Sequence, residues 1–165
     1  MAKPSLVCDT SLLLYLGRVG QAALLPSFFE PLYVPEPVLL ELAAGRLLRP
    51  DTINPQTLEW VVPVKVSTAD LEALPPNRLG LGERSVLAYA NIHPGSWVGL
   101  DDRQARLLAE QLGLKPLGIV GLLIKAKRAG LIHSLPQLLN SLQSSGFRLS
   151  SGLFEEAIRL GDEPG

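Results

Sequence analysis

Short apolar runs alternate with longer amphipathic stretches along most of the chain. The apolar runs are short enough for buried strands, and they cover residues 5–9, 32–34, 97–100 and 114–117. The amphipathic stretches repeat apolar residues at helical spacing, and they include residues 12–19, 82–92, 103–112 and 118–129. Strands that alternate with helices in this way predict an α/β fold with a mostly parallel central sheet.

Proline and glycine set the expected limits of several other elements. Pro26 interrupts a predicted helix over residues 21–29, and Pro63 restricts the β-rich stretch 60–66 to a sheet edge or a bulge. The helix that begins around Glu36 is expected to end at Gly45. Two more helices are predicted, over residues 135–142 and 153–160.

Composition excludes several classes of protein. With 165 residues, 47% of them apolar, the chain is expected to fold as one globular domain rather than to be disordered. No apolar run is long enough to span a membrane, and Asp9 interrupts the apolar length that a signal peptide needs. One cysteine excludes an internal disulfide. We therefore expect a cytoplasmic protein.

The charge is close to neutral overall but uneven along the chain. The formal net charge is −1, which argues against a chain-wide electrostatic grip on nucleic acid. Residues 103–148 nevertheless carry seven basic side chains and a single acid, Glu110. This region predicts either a local basic patch or a set of solvated helix faces.

Two predicted strands end in acidic residues. Asp9 follows the first strand, and Asp101 and Asp102 follow the strand over residues 97–100. Ligands of open parallel sheets bind outside the carboxyl ends of the strands, so these acids are candidates for a functional site. Asp9 precedes a helix, however, and an N-cap would also explain it.

Helical spacing separates the two neighbouring aspartates. Asp101 aligns with Ala105 and Leu108 on the apolar side of its helix, so we expect it to point toward the sheet. Asp102 lies four residues before Arg106, which predicts an exposed ion pair.

Two glutamates complete the set of candidate acids. Glu41 is expected in the last helical turn before Gly45, where the helix dipole disfavours a carboxylate. Either a functional role or simple solvation would explain it. Glu83 lies in a first turn, where the dipole alone could account for an acid.

The four acids favour one kind of chemistry. If they converge, their like charges oppose one another, and a hard divalent cation with oxygen ligands, Mg²⁺ or Mn²⁺, relieves that repulsion. Water bound to such an ion can attack a phosphodiester. His93 and His133 are expected at the surface, and Cys8 lies in a strand as a small core residue. Of the reactions considered, metal-assisted hydrolysis is therefore the one for which the chain has the most candidate residues.

Four short motifs occur in a fixed order along the chain. They are Val-Cys-Asp9-Thr-Ser11, Val34-Pro-Glu-Pro-Val-Leu-Leu-Glu41-Leu, Leu81-Gly-Glu83-Arg-Ser-Val-Leu-Ala and Leu100-Asp101-Asp102-Arg-Gln-Ala-Arg106. Together they resemble a PIN domain in order and spacing, and the segment 113–132 resembles a prokaryotic PIN-like subfamily. The resemblance covers residues 5 to about 147.

The resemblance implies a three-layer α/β/α sandwich with a mostly parallel sheet. It implies a nuclease domain over residues 1–147, with 148–165 as a C-terminal amphipathic extension of the same domain. It also implies a metal-dependent endoribonuclease, which in this family is often the toxin of a toxin–antitoxin pair.

The resemblance also implies which residues form the site. The catalytic acids would be Asp9, Glu41, Glu83 and Asp101. Asp9, Glu41 and Asp101 would bind the metal, with Asp102 as a further ligand candidate. Ser11 would support a metal-bound water or a neighbouring carboxylate. The candidates to hold RNA phosphates are Arg103, Arg106, Lys125, Lys127 and Arg128.

Two positions depart from the family's pattern. Ile119 stands where a threonine or serine commonly follows the glycine, and Leu100 stands where a polar residue often precedes the last acid. These departures keep a second hypothesis open, a catalytically weak module that binds a partner protein or RNA. A third is another metal-dependent phosphohydrolase that acts on DNA or small phosphates.

The expected partners are RNA, a small antitoxin protein and a second copy of the chain. Only 19% of residues are charged, which is low for a small soluble domain, so apolar surface is expected to face a partner. The candidate segments for a homodimer are residues 12–16 and 135–139, and an ordinary place in the core is the alternative for each. No aromatic-rich stacking platform is visible in the sequence, so no RNA target can be named.

Overall fold

A five-stranded, fully parallel sheet forms the centre of the fold in the computed structural model, which describes residues 2–162. Its strands are β1 (Leu6–Cys8), β2 (Leu32–Pro35), β3 (Val61–Val64), β4 (Trp97–Gly99) and β5 (Lys115–Leu117). They lie in the order β3-β2-β1-β4-β5, so β3 and β5 are the edges. The predicted α/β fold with a mostly parallel sheet is therefore confirmed.

Helices cover both faces of this sheet. They are α1 (Thr10–Arg18), α2 (Leu25–Phe28), α3 (Glu36–Leu48), α4 (Thr68–Glu72), α5 (Leu81–Asn91), α6 (Arg103–Gln111), α7 (Ile119–Arg128), α8 (Leu135–Ser144) and α9 (Ser151–Asp162). Helix α5 packs on β1, β2 and β4 beside α6, whereas α1 packs against α3 and α7. Connections between parallel strands are generally right-handed, which places helices on the faces of such a sheet and gives a three-layer sandwich.

The middle of the sheet is buried on both faces. All three residues of β1 are fully buried, as expected for a central strand of a parallel sheet. Cys8 is one of them, which confirms its interpretation as a small core residue. A Cβ on Gly99 would overlap the Leu12 side chain, so this glycine allows α1 to approach β4 closely.

Two helix boundaries differ from the prediction. The expected end of α3 at Gly45 is wrong, because the helix continues to Leu48 and the Arg49 amide donates to the Gly45 carbonyl. A glycine ends a helix where it adopts a positive φ, and Gly45 does not adopt one. The predicted helix over 21–29 is instead a 3₁₀ turn, Ala22–Leu24, followed by α2, with Pro26 in the first turn of α2.

The leucine-rich segments that were candidate dimer interfaces belong to the core. The leucines of both segments that face inward are buried. In α1 they are Leu12, Leu13 and Leu16, and in α8 they are Leu135 and Leu139. Of the two alternatives for these segments, the core role is confirmed and the role in a dimer interface is wrong, because both helices pack inward.

Exposed leucines lie instead on α3, at Leu40, Leu47 and Leu48. Helix α9 packs against α7 and α8, and its Gly161 lies against Leu135 and Lys127. Among the described residues, no helix combines the length and apolar composition needed to cross a bilayer.

Candidate active site

Asp9 and Asp101 meet at the carboxyl edge of the sheet because β1 and β4 are neighbours. Cys8 pairs with Gly99 in the register of these strands, and the Asp9 amide donates to the Gly99 carbonyl at 3.0 Å. Asp101 follows Gly99 by two residues, so it leaves the sheet beside Asp9. Strands β2 and β3 lie on one side of β1, and β4 and β5 lie on the other, so the strand order reverses between β1 and β4. Open parallel sheets bind ligands at this point.

Asp9 is the most buried acid of the site. Only 4% of it is exposed, although it also precedes α1 as the N-cap residue. Its side chain makes no capping hydrogen bond, so the N-cap interpretation does not by itself explain the carboxylate.

Asp101 and Asp102 face different surroundings. Asp101 is half-buried, and its Oδ1 accepts a hydrogen bond from the Ile119 amide at the start of α7, at 3.0 Å. Asp102 is exposed and is the N-cap of α6, where its Oδ2 accepts from the Ala105 amide at 3.0 Å. The predicted inward and outward orientations are therefore confirmed, but helical facing is not the reason, because Asp101 precedes the helix.

The predicted ion pair between Asp102 and Arg106 is wrong. Within residues 2–162 these two side chains form no salt bridge, because Asp102 caps the helix and Arg106 lies against Gly118 beside Asp101. A Cβ on Gly118 would lie 2.8 Å from Asp101 Oδ1 and 3.5 Å from the Arg106 guanidinium. Arg106 therefore acts on the inner carboxylate.

Glu41 enters the site from the middle of α3. It accepts a hydrogen bond from the Thr10 hydroxyl, at 2.5 Å, and its carboxylate packs against the backbone of Gly82. A Cβ on Gly82 would lie 2.6 Å from Glu41 Oε1. Because α3 continues past Gly45, the argument that placed Glu41 in a last helical turn is wrong, and its contacts with Thr10 and Gly82 explain its position instead.

Glu83 comes from the first turn of α5 and is half-buried. Burial raises its pKa, the nearby Asp102 and Glu41 carboxylates raise it further, and the Gly80 backbone N–H lowers it. Glu83 therefore combines an ordinary first-turn position with a place beside the other acids.

Burial raises the pKa values of the two inner aspartates, and like charge raises that of Asp9 further. Burial raises the pKa of Asp9 from its ordinary 3.8 to about 7, opposed by the Thr10 amide and reinforced by Glu83, Glu41 and Asp101. Burial also raises the pKa of Asp101, while the Ile119 amide and Arg106 lower it. The acids therefore repel one another through a partly desolvated space.

The donor set fits a hard divalent cation. Asp101 Oδ2 is buried without a hydrogen-bond partner, and the surrounding donors are carboxylate and hydroxyl oxygens of the kind that Mg²⁺ and Mn²⁺ prefer. In the conformation described for residues 2–162, no three histidine, cysteine or acidic side chains lie close enough to bind the same ion. Binding of one ion by three of these carboxylates would therefore require at least one of them to move.

The other predicted site residues divide between two places. Arg103 and Arg106 lie on α6 next to the acids, whereas Lys125, Lys127 and Arg128 lie in the last turn of α7. Lys127 is half-buried against α9, and Arg128 donates to the Leu160 carbonyl. They do not form one continuous patch.

Sequence reasoning missed three residues that shape the acidic cluster. The hydroxyl that contacts a site carboxylate is that of Thr10, whereas Ser11 makes no side-chain hydrogen bond to another described residue. Gly82 and Gly118 each lie directly against a carboxylate. Both glycines belong to the motifs that resemble a PIN domain, which was the only sequence signal for their importance. The contacts themselves depend on packing between helices that are distant in sequence.

Comparison with protein families agrees with this architecture. The family model DUF3368, described as a PIN domain, matches residues 5–163, which is nearly the whole chain. No match to the chain is found among curated proteins. PIN domains are typically nucleases that use divalent metal ions. The ordered motifs, the five-stranded parallel sheet and this match agree, and the chain belongs to the PIN-domain family.

Proposed function

We propose that this protein is a metal-dependent endoribonuclease, and that Asp9, Glu41, Glu83 and Asp101 form its catalytic site. The observation that carries the proposal is the pairing of the buried Asp9 carboxylate with the half-buried Asp101 carboxylate at the carboxyl edge of the sheet. Asp9 has a pKa raised to about 7 by burial and by its acidic neighbours, and Asp101 Oδ2 has no partner. Such a site is poised to exchange a proton for a cation.

Asp9, Asp101 and Glu41 are the residues that would hold a divalent ion, either Mg²⁺ or Mn²⁺. When bound, the ion would lower the pKa of a coordinated water and offset the charge of the scissile phosphate. The Ile119 amide fixes Asp101 Oδ1, and the Thr10 hydroxyl fixes one oxygen of Glu41. Each carboxylate therefore keeps its second oxygen for the ion. Asp102 caps α6 through Oδ2, which leaves Oδ1 as its only oxygen for an ion.

Glu83 is the residue best placed to move a proton. Burial and two acidic neighbours raise its pKa, which makes its carboxylate a stronger base than an exposed glutamate. Its half-buried position leaves part of the side chain accessible to water. We assign Glu83 to orient and deprotonate the attacking water, and Arg103 and Arg106 to contact RNA phosphates beside the acids.

A cleavage assay tests this proposal. Purified protein should cut single-stranded RNA in Mg²⁺ or Mn²⁺, should lose that activity in EDTA, and should leave a DNA oligonucleotide of matched sequence intact. Asp9→Asn should be inactive, while Asp51→Asn, the same change at an exposed position, should be active. Undiminished RNA cleavage by metal-free protein would contradict the proposal, and equal cleavage of DNA would favour a broader phosphohydrolase.

A second candidate function is supported by Ile119 and Leu100. Both side chains are fully buried in the core at positions where a hydroxyl or another polar group is common in the family. The site therefore has fewer polar groups than the resemblance implies, which favours a module that binds RNA or a partner protein with little catalysis. Saturable RNA binding without cleavage at any metal concentration would select this second function.

A further inference from the structure

A cleft beside α7 is lined by two aromatic rings and a lysine that are far apart in sequence. Phe28 of α2 and Trp97 at the start of β4 line the cleft, together with Leu117, Gly121, Ile124 and Lys125. Its volume is about 510 Å³, within the range of ligand-binding clefts. We refer to it as the Trp97 cleft.

A lysine ammonium group lies over each of the two aromatic rings. Lys125 Nζ lies 5.3 Å from the centre of the Phe28 ring, and Lys115 Nζ lies 5.4 Å from the centre of the Trp97 ring. The register of β4 and β5 fixes the second pair, because Trp97 and Lys115 are directly opposite each other. No acidic side chain lines the cleft, so its charge is positive.

The Gly121 end of the Trp97 cleft lies near the acidic cluster, whereas Trp97 is at the other end of β4. Helix α7 starts at Ile119, whose amide donates to Asp101, and Gly121 of the cleft is two residues further on. Lys125 is six residues beyond Ile119, roughly 9 Å along the helix axis at about 1.5 Å per residue. A strand with a phosphate at the acids could therefore continue along α7 into the cleft.

The chemistry of the cleft fits an unpaired nucleotide. Bases of single strands stack on exposed aromatic faces, and lysines beside those faces contact the phosphates. A duplex hides its base faces and could not use Phe28 or Trp97 in this way. Both rings are half-buried and each has a lysine over its face, so a base that stacks there must displace that lysine toward the phosphates.

We propose that the Trp97 cleft binds a single-stranded RNA segment next to the acidic site. A base stacks on Trp97 or Phe28, and Lys115 and Lys125 contact its phosphates. The choice of RNA rests on the proposed ribonuclease function, whereas the aromatic and cationic character of the cleft does not. The cleft would give the enzyme a preference for unpaired RNA on one side of the scissile bond.

Tryptophan fluorescence tests the proposal directly. The chain has two tryptophans, Trp60 and Trp97, so Trp60→Phe leaves Trp97 as the only reporter. A short single-stranded RNA oligonucleotide is titrated in EDTA, so that metal-dependent cleavage does not interfere. We expect saturable quenching of Trp97, and much weaker binding of the same sequence as a duplex.

Charge variants measure the phosphate contacts without disturbing the core. Lys115 and Lys125 are exposed, and replacing both with glutamine should reduce the slope of log affinity against log salt by about 1.4, at about 0.7 per phosphate contact. Lys65→Gln removes an exposed charge just after β3, at the opposite edge of the sheet, and should leave the slope unchanged. Phe28→Leu should weaken binding about 5- to 140-fold if a base stacks there.

The results separate this proposal from the proposed activity. Quenching that depends on the two lysines supports the cleft even if the protein cleaves nothing. Binding that is unaffected by the double lysine variant and leaves Trp97 fluorescence unchanged would overturn the cleft, even if cleavage is robust. Equal quenching by single-stranded and duplex RNA would also overturn it, as would quenching by mononucleotides but not by the oligonucleotide.

Discussion

Replacing Asp9 with asparagine should stabilise the metal-free protein at high pH and abolish its activity. Asparagine has nearly the same size as aspartate and serves equally well before a helix, so the fold should persist. The change removes one charge from a buried position that is already crowded by Glu83, Glu41 and Asp101. Stability and function should therefore change in opposite directions, as is common at active sites.

The sign of the pH dependence follows from the raised pKa. Between its unfolded value of 3.8 and its folded value of about 7, Asp9 binds more protons in the folded state than in the unfolded chain. Its contribution to stability is therefore fully present below about pH 4 and is lost as the pH rises through about 7. At about 1.36 kcal/mol per pKa unit, the loss reaches about 4 kcal/mol.

Urea unfolding in EDTA at pH 4, 6 and 8 measures this effect. Wild type and Asp9→Asn should have similar stability at pH 4, and the variant should be more stable by about 2–4 kcal/mol at pH 8. For a chain of this length, that corresponds to a rise in Tm of roughly 4–16 °C. Asp51→Asn, an exposed control, should change stability by less than about 0.5 kcal/mol at every pH.

Two results would refute the reasoning about Asp9. If Asp9→Asn is less stable than wild type at pH 8, the carboxylate stabilises the fold and is not a strained functional group. If the difference between the two proteins does not change with pH, burial and the neighbouring acids do not raise the pKa of Asp9.

Other predictions concern the metal, the glycines and the assembly. Mn²⁺ at 100 times its Kd should stabilise wild type by about 2.7 kcal/mol at pH 8. Asp101→Asn should lose this stabilisation and Asp102→Asn should keep it, so equal losses would contradict their different roles. Gly118→Ala should weaken Mn²⁺ binding, because its Cβ would lie 2.8 Å from Asp101 Oδ1. Gly45→Ala, whose Cβ meets only an ordinary contact at 3.8 Å, should bind Mn²⁺ normally, so equal behaviour of these two alanine variants would contradict the packing argument. Light scattering should give a dimer of about twice 17.8 kDa, and Leu48→Lys on the exposed face of α3 should reduce it to the monomer; a monomeric wild type would contradict self-association.

Local patterns were sufficient to predict most of the sheet and its main helices. β1 and β4 are short apolar runs that end in acids, and both are found where the pattern placed them. Because strand ends are local features, the positions of Asp9 and Asp101 at one edge of the sheet could be predicted. Pro63 also indicated correctly that β3 is an edge strand.

Features that depend on distant packing could not be predicted. Gly45 resembles a helix terminator, yet α3 continues through it, so the surroundings of Glu41 were misjudged. The contact between Gly82 and Glu41 joins residues from different helices, and no local pattern encodes it.

The aromatic side of the Trp97 cleft could not be predicted from the sequence either, because it also depends on packing between distant residues. Phe28 and Trp97 belong to elements that are far apart in sequence, α2 and β4, and they line one cleft only after α2 folds against α7. The short helix α4, Thr68–Glu72, was also not predicted. It has only about one and a half turns and no buried residue, so it has no apolar pattern to indicate a helix.

Crystals soaked in Mn²⁺ offer the most direct test that the acidic cluster is a metal-dependent active site. Anomalous diffraction locates the ion without assumptions about activity. The structure predicts a peak at the carboxyl edge of the sheet, in contact with Asp9 and with the free oxygen of Asp101, and its loss in Asp9→Asn. No peak at these residues in crystals that hold Mn²⁺ elsewhere would contradict the proposed catalytic site.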